Sequence, residues 1–194
     1  MGEKPLTIEE PVFLPNLRSL ALYGFPSAPN LPSYLNTPNL RELMLNEASE
    51  QLMPTASMGL KKQIFAWIDV YGVQVRSIES ALCSVLSREE FVHFLRRLPV
   101  LEDLKVSSVS KVVLTGSLPP PPPGGTVVKE EPAVVDDEVL ELLTPRNASH
   151  GGECLLPRLK SLTVRYHGEH PFTKQSLVRF IEARRRKTNY RLEL

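Results

Sequence analysis

Much of what catalysis, metal binding or export calls for is scarce in this 194-residue chain. Its two cysteines, Cys83 and Cys154, stand far apart in unrelated contexts. They form no disulfide framework, which fits a reducing compartment, cytoplasmic or nuclear. Neither sign of charge dominates: 23 Lys and Arg against 22 Asp and Glu give a formal net charge of +1. A general nucleic-acid or membrane-surface protein needs a clear basic excess to neutralise phosphates, so neither partner is expected. Long apolar runs are missing too. The amino terminus, Met1-Gly2-Glu3-Lys4-Pro5, is polar and leads into no apolar h-region, so neither a signal peptide nor a membrane span is expected. In that setting the formal glycosylation sequon Asn147-Ala148-Ser149 carries no weight.

Catalytic and metal-binding patterns are equally sparse. Of the four histidines, His93, His150, His167 and His170, His93 lies in a helical pattern flanked by core residues and reads as a partly exposed helix position. A zinc site at Cys154, His167 and His170 would need a second cysteine, because structural zinc is held by closely spaced ligand pairs. The glycine pairs Gly124-Gly125 and Gly151-Gly152 lack the frames that cradle phosphates. Glu89-Glu90 and Asp136-Asp137 fall at predicted helix starts, where negative charge meets exposed N–H groups. The run Arg184-Arg185-Arg186-Lys187 ends a predicted helix and reads as a solvated, dipole-favoured terminus. No enzyme, cofactor or metal is expected.

What the chain does have is one phrase written four times, Pro-x-Leu-x-x-Leu-x-Leu/Val: Pro15 to Leu22, Pro38 to Leu45, Pro99 to Val106 and Pro157 to Val164. This is a leucine-rich repeat signal and implies a stack of similar units. The last two apolar residues of each phrase lie two apart, hence on one face of a strand. Leu20 and Leu22, Leu43 and Leu45, Leu104 and Val106, and Leu162 and Val164 are therefore expected to share a core that no unit could bury alone. Proline suits the turn leading into each strand, where its fixed φ and missing N–H are tolerated. The expected fold is an α/β leucine-rich repeat solenoid, a curved parallel sheet with helices on the convex side, over a single domain of irregular repeats spanning residues 1–194.

Return helices are predicted where apolar residues recur on one face behind a capping residue. Ser87-Arg88-Glu89-Glu90 fits a capping box ahead of Phe91, Phe94, Leu95 and Leu98; Asp136 caps Val139, Leu142 and Leu143; Thr173 caps Leu177, Phe180 and Ile181. The tail Tyr190-Arg191-Leu192-Glu193-Leu194 suggests a closing strand. Leu17 and Leu40 are 23 residues apart, within the usual period of about 20 to 29 residues. Leu40 to Leu101 spans 61 residues and Leu101 to Leu159 spans 58, which is too long for one repeat. In the first interval Leu60, Ile64, Trp67, Ile68 and Tyr71 fit a helix, and Val73, Val75 and Ile78 a poorly formed strand. The second holds a low-complexity segment at about 116–134, with Pro119 to Pro123, Gly124-Gly125 and Lys129-Glu130-Glu131. It reads as a disordered or polyproline II insertion between repeats, in preference to a docking site for a proline-binding module. A second loop is expected at about 145–154.

With the core rows set, the alternate strand positions line the concave sheet as a partner-binding face: Ser19, Ala21 and Tyr23; Glu42, Met44 and Asn46; Asp103, Lys105 and Ser107; Ser161, Thr163 and Arg165. Solenoids bind partners across such faces, and the mixed charge points to a protein client.

Leu14 to Leu20, Phe91 to Leu104, Leu140 to Pro145 and Leu155 to Leu162 together resemble the degenerate repeat region of F-box proteins from mushroom-forming (basidiomycete) fungi. Roughly two thirds of the chain takes part, and the stretch from Gln51 to Ser80 matches poorly. The resemblance implies the substrate-recognition half of a cullin-based ubiquitin ligase adaptor: repeats hold the client, and a separate F-box grips the Skp adaptor and, through it, the cullin. The Leu-Pro-x-Glu phrase that usually opens an F-box does not occur ahead of the first repeat, and Phe25, Ala48, Val109 and His167 stand where the post-strand asparagine of the repeat belongs. A freestanding leucine-rich scaffold unrelated to ubiquitin is the alternative.

Overall fold

The computed structural model describes residues 10–23, 31–46, 54–80, 86–107, 135–145, 154–165, 171–186 and 191–193. The expected insertion at about 116–134 and nearly all of the loop at about 145–154 lie outside these residues, as do Phe25, Ala48, Val109 and His167. Each written phrase begins as a tight turn with proline in its second position, the site where a fixed φ is pre-set for the turn. Leu17, Leu40, Leu101 and Leu159 donate their N–H groups back to Leu14, Thr37, Leu98 and Leu156 at 3.0–3.2 Å.

The chain then runs through β1 (Val12–Phe13), β2 (Ser19–Tyr23), a 3-10 turn (Leu31–Tyr34), β3 (Leu35–Asn36), β4 (Glu42–Asn46), α1 (Pro54–Tyr71) and β5 (Ser77–Ser80). It continues with α2 (Arg88–Arg96), β6 (Asp103–Ser107), α3 (Asp137–Leu143), β7 (Ser161–Arg165), α4 (Lys174–Arg185) and β8 (Arg191–Glu193). Every strand pair is parallel, so the fold is α/β. Among the described residues the main sheet has six strands, and their order, β2-β4-β5-β6-β7-β8, is the order of the chain; β1 and β3 form a small second sheet ahead of the first two turns.

Register makes the core. Leu20, Leu43, Ile78, Leu104, Leu162 and Leu192 lie side by side, and so do Leu22, Leu45, Ser80, Val106 and Val164. Leu40, Val75, Leu101 and Leu159, ahead of the strands, are all completely buried. The long first interval therefore contains a helix and a further strand, but the strand begins later than the apolar spacing suggests. Val73 occupies the turn and is 70% exposed, Val75 is buried ahead of the strand, and only Ile78 lies within it. Ser80 fills a place that Leu45 and Val106 hold on the neighbouring strands, which is why this repeat is hard to recognise.

Helices cover the same face, and their buried residues join the strands in one apolar cluster. Ile64, Trp67, Ile68 and Tyr71 of α1, Phe91, Phe94 and Leu95 of α2, Val139, Leu140 and Leu143 of α3 and Phe180 of α4 are buried. In α3 the buried face includes Leu140, whereas Leu142 is half-buried; in α4 Leu177 and Ile181 are half-buried beside Phe180. The caps lie where the sequence puts them. Ser87 and Glu90 form a reciprocal capping box, Asp136 accepts from the Val139 N–H at 3.0 Å, and Thr173 from the Ser176 N–H at 3.2 Å. Polar stitches then join each helix to the next: Lys61 to Glu90 (2.8 Å) and Asp69 to Arg97 for α1 and α2, Arg88 to Asp136 (2.5 Å) and Glu138 (2.8 Å) for α2 and α3. For α3 and α4 the stitch is the Thr173 N–H on the Asp137 carboxylate (2.7 Å), which holds that carboxyl below its usual range. At Glu90 partial burial pushes the carboxyl up, but the Lys61 hydrogen bond and the Ser87 N–H outweigh it and hold it low.

A further expectation fails at the end of α4. Arg184 is not part of a solvated helix end: it is 2% exposed. Its guanidinium lies over the Phe180 ring at 5.8 Å and donates to the carbonyls of Leu143 (3.0 Å from Nε), Leu156 (3.0 Å), Leu155 (3.2 Å) and Leu159 (3.4 Å). It thus caps the last carbonyl of α3 and fixes the turn into β7, where Leu156 adopts a left-handed φ of 51°. A planar cation with five donors can satisfy that many oxygens at once, which lysine could not. Arg185 and Arg186 are exposed, as expected.

Three predictions follow from this architecture. Leu43→Asp or Leu162→Asp, each burying an unpaired charge in the shared row, should abolish the native circular dichroism spectrum and cooperative melt. Arg184→Ala should lower the urea midpoint by the equivalent of about 3 kcal/mol at constant slope, because several buried carbonyls lose their donor. Gly72→Ala should be destabilising by about 1–3 kcal/mol in the same assay, since a Cβ there would collide with the backbone oxygens of Ile68 and Arg97.

Candidate functional site

The face of the main sheet opposite the core carries the residues singled out from sequence, and register assembles them into rows. Ser19, Glu42, Ser77, Asp103, Ser161 and Arg191 form the first; Ala21, Met44, Glu79, Lys105, Thr163 and Glu193 the second. Beyond these, Tyr23 pairs with Asn46 and Ser107 with Arg165. Neighbouring strands lie about 4.8 Å apart, so residues in a row are within reach of one another. The side chains of Tyr23, Asn46 and Glu193 lie outside the described set.

Ser19, Ala21, Glu42, Lys105 and Arg165 are exposed, and Met44, Asp103, Ser107 and Ser161 half-buried. Thr163 departs from the expectation of an open surface position: at 5% exposure it is a buried residue. Its strand is interior, flanked by β6 and β8, and a short side chain there lies below the general level of the face. β5, expected only as a poorly formed strand, adds two residues that were not among the expected surface positions, Ser77 and Glu79. Their signal was the Val75-x-x-Ile78 spacing, the same as Leu40-x-x-Leu43, without the proline or the final leucine that mark the other copies. Glu79 meets Lys105 across the β5–β6 pair at 3.4 Å, an exposed ion pair worth about 0–1 kcal/mol.

One residue before each strand, a further row runs along the rim of the face: Arg18, Arg41, Arg76, Glu102 and Lys160. The backbone links it rung by rung, Arg41 N–H to Arg18 C=O (2.8 Å), Arg76 to Arg41 (2.7 Å), Glu102 to Arg76 (2.7 Å) and Lys160 to Glu102 (2.7 Å). Side chains reinforce these rungs. Asn39 donates to the Pro15 carbonyl and Gln74 to that of Thr37, both at 2.8 Å, and Arg41 donates to the carbonyls of Leu40 and Gln74 at 3.3 Å. Glu102 bridges its two neighbours, Lys160 at 2.6 Å and Arg76 at 3.5 Å. The Lys160 hydrogen bond first, then the positive field of Lys160, Arg76 and Arg158, holds its carboxyl below the usual glutamate range.

Other groups weighed from the sequence stand apart from one another among the described residues. His93 is exposed on α2 and its ring lies 5.7 Å from that of Phe65, a helix-surface packing contact. The Cys154 thiol donates to the carbonyls of Leu155 (3.3 Å) and Leu143 (3.7 Å). Cys83, His150, His167 and His170 lie outside the described residues. Among the described residues no three His, Cys, Asp or Glu converge as metal ligands, and no helix is long and apolar enough to cross a membrane.

No protein-family model matches the chain, and no curated protein or solved structure matches it either.

Because the folded-state pKa of Glu102 is depressed below its ordinary 4.5, its pairing stabilises the fold above that pH and ceases to do so as the pH falls through the lower, folded value. Glu102→Gln should therefore melt below the wild type at pH 7, and the gap should close in melts taken progressively below 4.5.

Proposed function

We propose that this chain is a leucine-rich repeat solenoid that binds a client protein across its concave sheet, as the substrate-recognition part of an F-box-type ubiquitin ligase adaptor. The observation that carries the reading is the sequential, in-register parallel sheet whose one face is spent on the core while the other displays polar and charged side chains. Such a surface is broad and chemically mixed, which suits recognition of a folded or extended protein better than a small molecule. The ubiquitin-ligase half of the reading rests on the resemblance of the repeat phrases to fungal F-box proteins. A freestanding leucine-rich scaffold is the alternative, and one experiment separates the two.

Tagged protein expressed from its full transcript should capture a client from fungal lysate, and the Tyr23→Ala, Arg165→Ala double variant should lose it. Skp adaptor and cullin in the wild-type eluate, identified by mass spectrometry, are the result expected of the ligase reading. A client lost in the variant with neither of those subunits present makes the chain a freestanding module. Indistinguishable eluates from wild type and variant would overturn the concave sheet as the binding face.

A further inference from the structure

The rim row holds three arginines on consecutive rungs, Arg18, Arg41 and Arg76, spaced by one strand each. Like charges directly opposite one another in a sheet repel, so this arrangement costs stability in the free protein. Arg76 is relieved by Glu102, but Arg18 and Arg41 make no ion pair among the described residues. Arg18 is exposed, and Arg41 uses one nitrogen on two backbone carbonyls, which leaves donors of its fork uncommitted. Lys160 and the neighbouring Arg158 continue the basic edge at the far end, both exposed. The carboxylates nearest in register belong to the next row, Glu42, which is exposed, and Asp103, which is half-buried.

We infer that this rim is a docking edge for an extended acidic segment of a protein partner, whose carboxylates take the places beside Arg18, Arg41 and Arg76 that Glu102 takes beside Arg76 and Lys160. The inference deepens the protein-binding reading above and rests on it. Glu102 shows what the row does with a carboxylate: it holds the group between the cations of adjacent rungs, at 3.5 and 2.6 Å. From Arg18 to Arg76 is two strand spacings, about 10 Å, which an extended peptide crosses in about three residues. Beside the cations the edge offers apolar surface at the turns, Pro38, Val73 and Pro99, of which Val73 is 70% exposed. A partner mixing acidic and apolar residues fits both. A nucleic acid fits worse: its uninterrupted phosphates would meet Glu102, Glu42 and Asp103, and none of the described residues of the row is an aromatic on which a base could stack.

The test is fluorescence anisotropy with labelled hexaglutamate, hexalysine and a single-stranded DNA dodecamer, read first at low ionic strength and then in about 0.15 M salt, where screening acts within about 8 Å. Hexaglutamate should bind saturably, weaken with salt and lose at least tenfold in affinity in Arg18→Ser, Arg76→Ser, while hexalysine does not bind. Arg185→Ser, Arg186→Ser, which removes two exposed cations elsewhere, should leave the affinity unchanged, and circular dichroism melts should show both variants folded. The proposal is overturned if hexaglutamate fails to bind, if both double variants weaken it equally, or if the DNA binds as tightly as the peptide. Each of these results leaves the capture experiment on the concave sheet readable, so failure of the rim and failure of the protein-binding reading are distinguishable.

Discussion

Everything in this molecule depends on a single constraint: a strand carrying two apolar residues on one face cannot bury them by itself. Leu43 and Leu45 become solvent-free because Leu20 and Leu22 lie on one side and Ile78 and Ser80 on the other, in strict register. The apolar residue ahead of each strand, Leu40, Val75, Leu101 or Leu159, closes the layer beneath. Because side chains alternate, that register simultaneously decides what the opposite face displays. The core and the candidate binding surface are one decision read from two sides.

The helices complete the burial and are tied to one another by a second set of interactions that do not resemble the first. Capping residues do double duty: Glu90 closes the capping box of α2 and also meets Lys61 of α1, and Asp136 caps α3 while pairing with Arg88 of α2. Such exposed or half-exposed pairs contribute little individually, but they fix which helix turn faces which. Arg184 belongs to a different category. Its charge is out of water, and its partners are carbonyl dipoles at the end of one helix and in the turn leading into the next strand. Removing water from a guanidinium is costly, and the dense set of acceptors offsets that cost.

A good deal of this was legible in the sequence, for identifiable reasons. The four phrases mark β2, β4, β6 and β7 because proline, leucine spacing and alternation all agree there. The caps of α2, α3 and α4 are legible because Ser87, Asp136 and Thr173 each precede an apolar helical face. β5 was half-hidden: Ser80 substitutes for the last apolar residue and Val73 for the proline, so only its centre, Ile78, matched. The burial of Arg184 was illegible because its neighbours Arg185 and Arg186 disguise it as one charge of a run; nothing in one dimension says which of three arginines faces inward. Likewise alternation gave the register places of the expected face, though not that Thr163 would be buried in it, whereas the rim of cations required the register of β5, without which Arg76 has no neighbours.

One feature bears on how freely this chain can change. Ser107 is fixed in register with Arg165, and Val135, completely buried, anchors the chain again ahead of α3. Both attachment points are thus held by the sheet and the core, so β6 and α3 each keep their packing partners whatever the length of chain that joins them. Between β2 and β4 the chain also carries β3, whose Leu35 and Asn36 pair with Val12 and Phe13, so any change of length there has a second register to preserve.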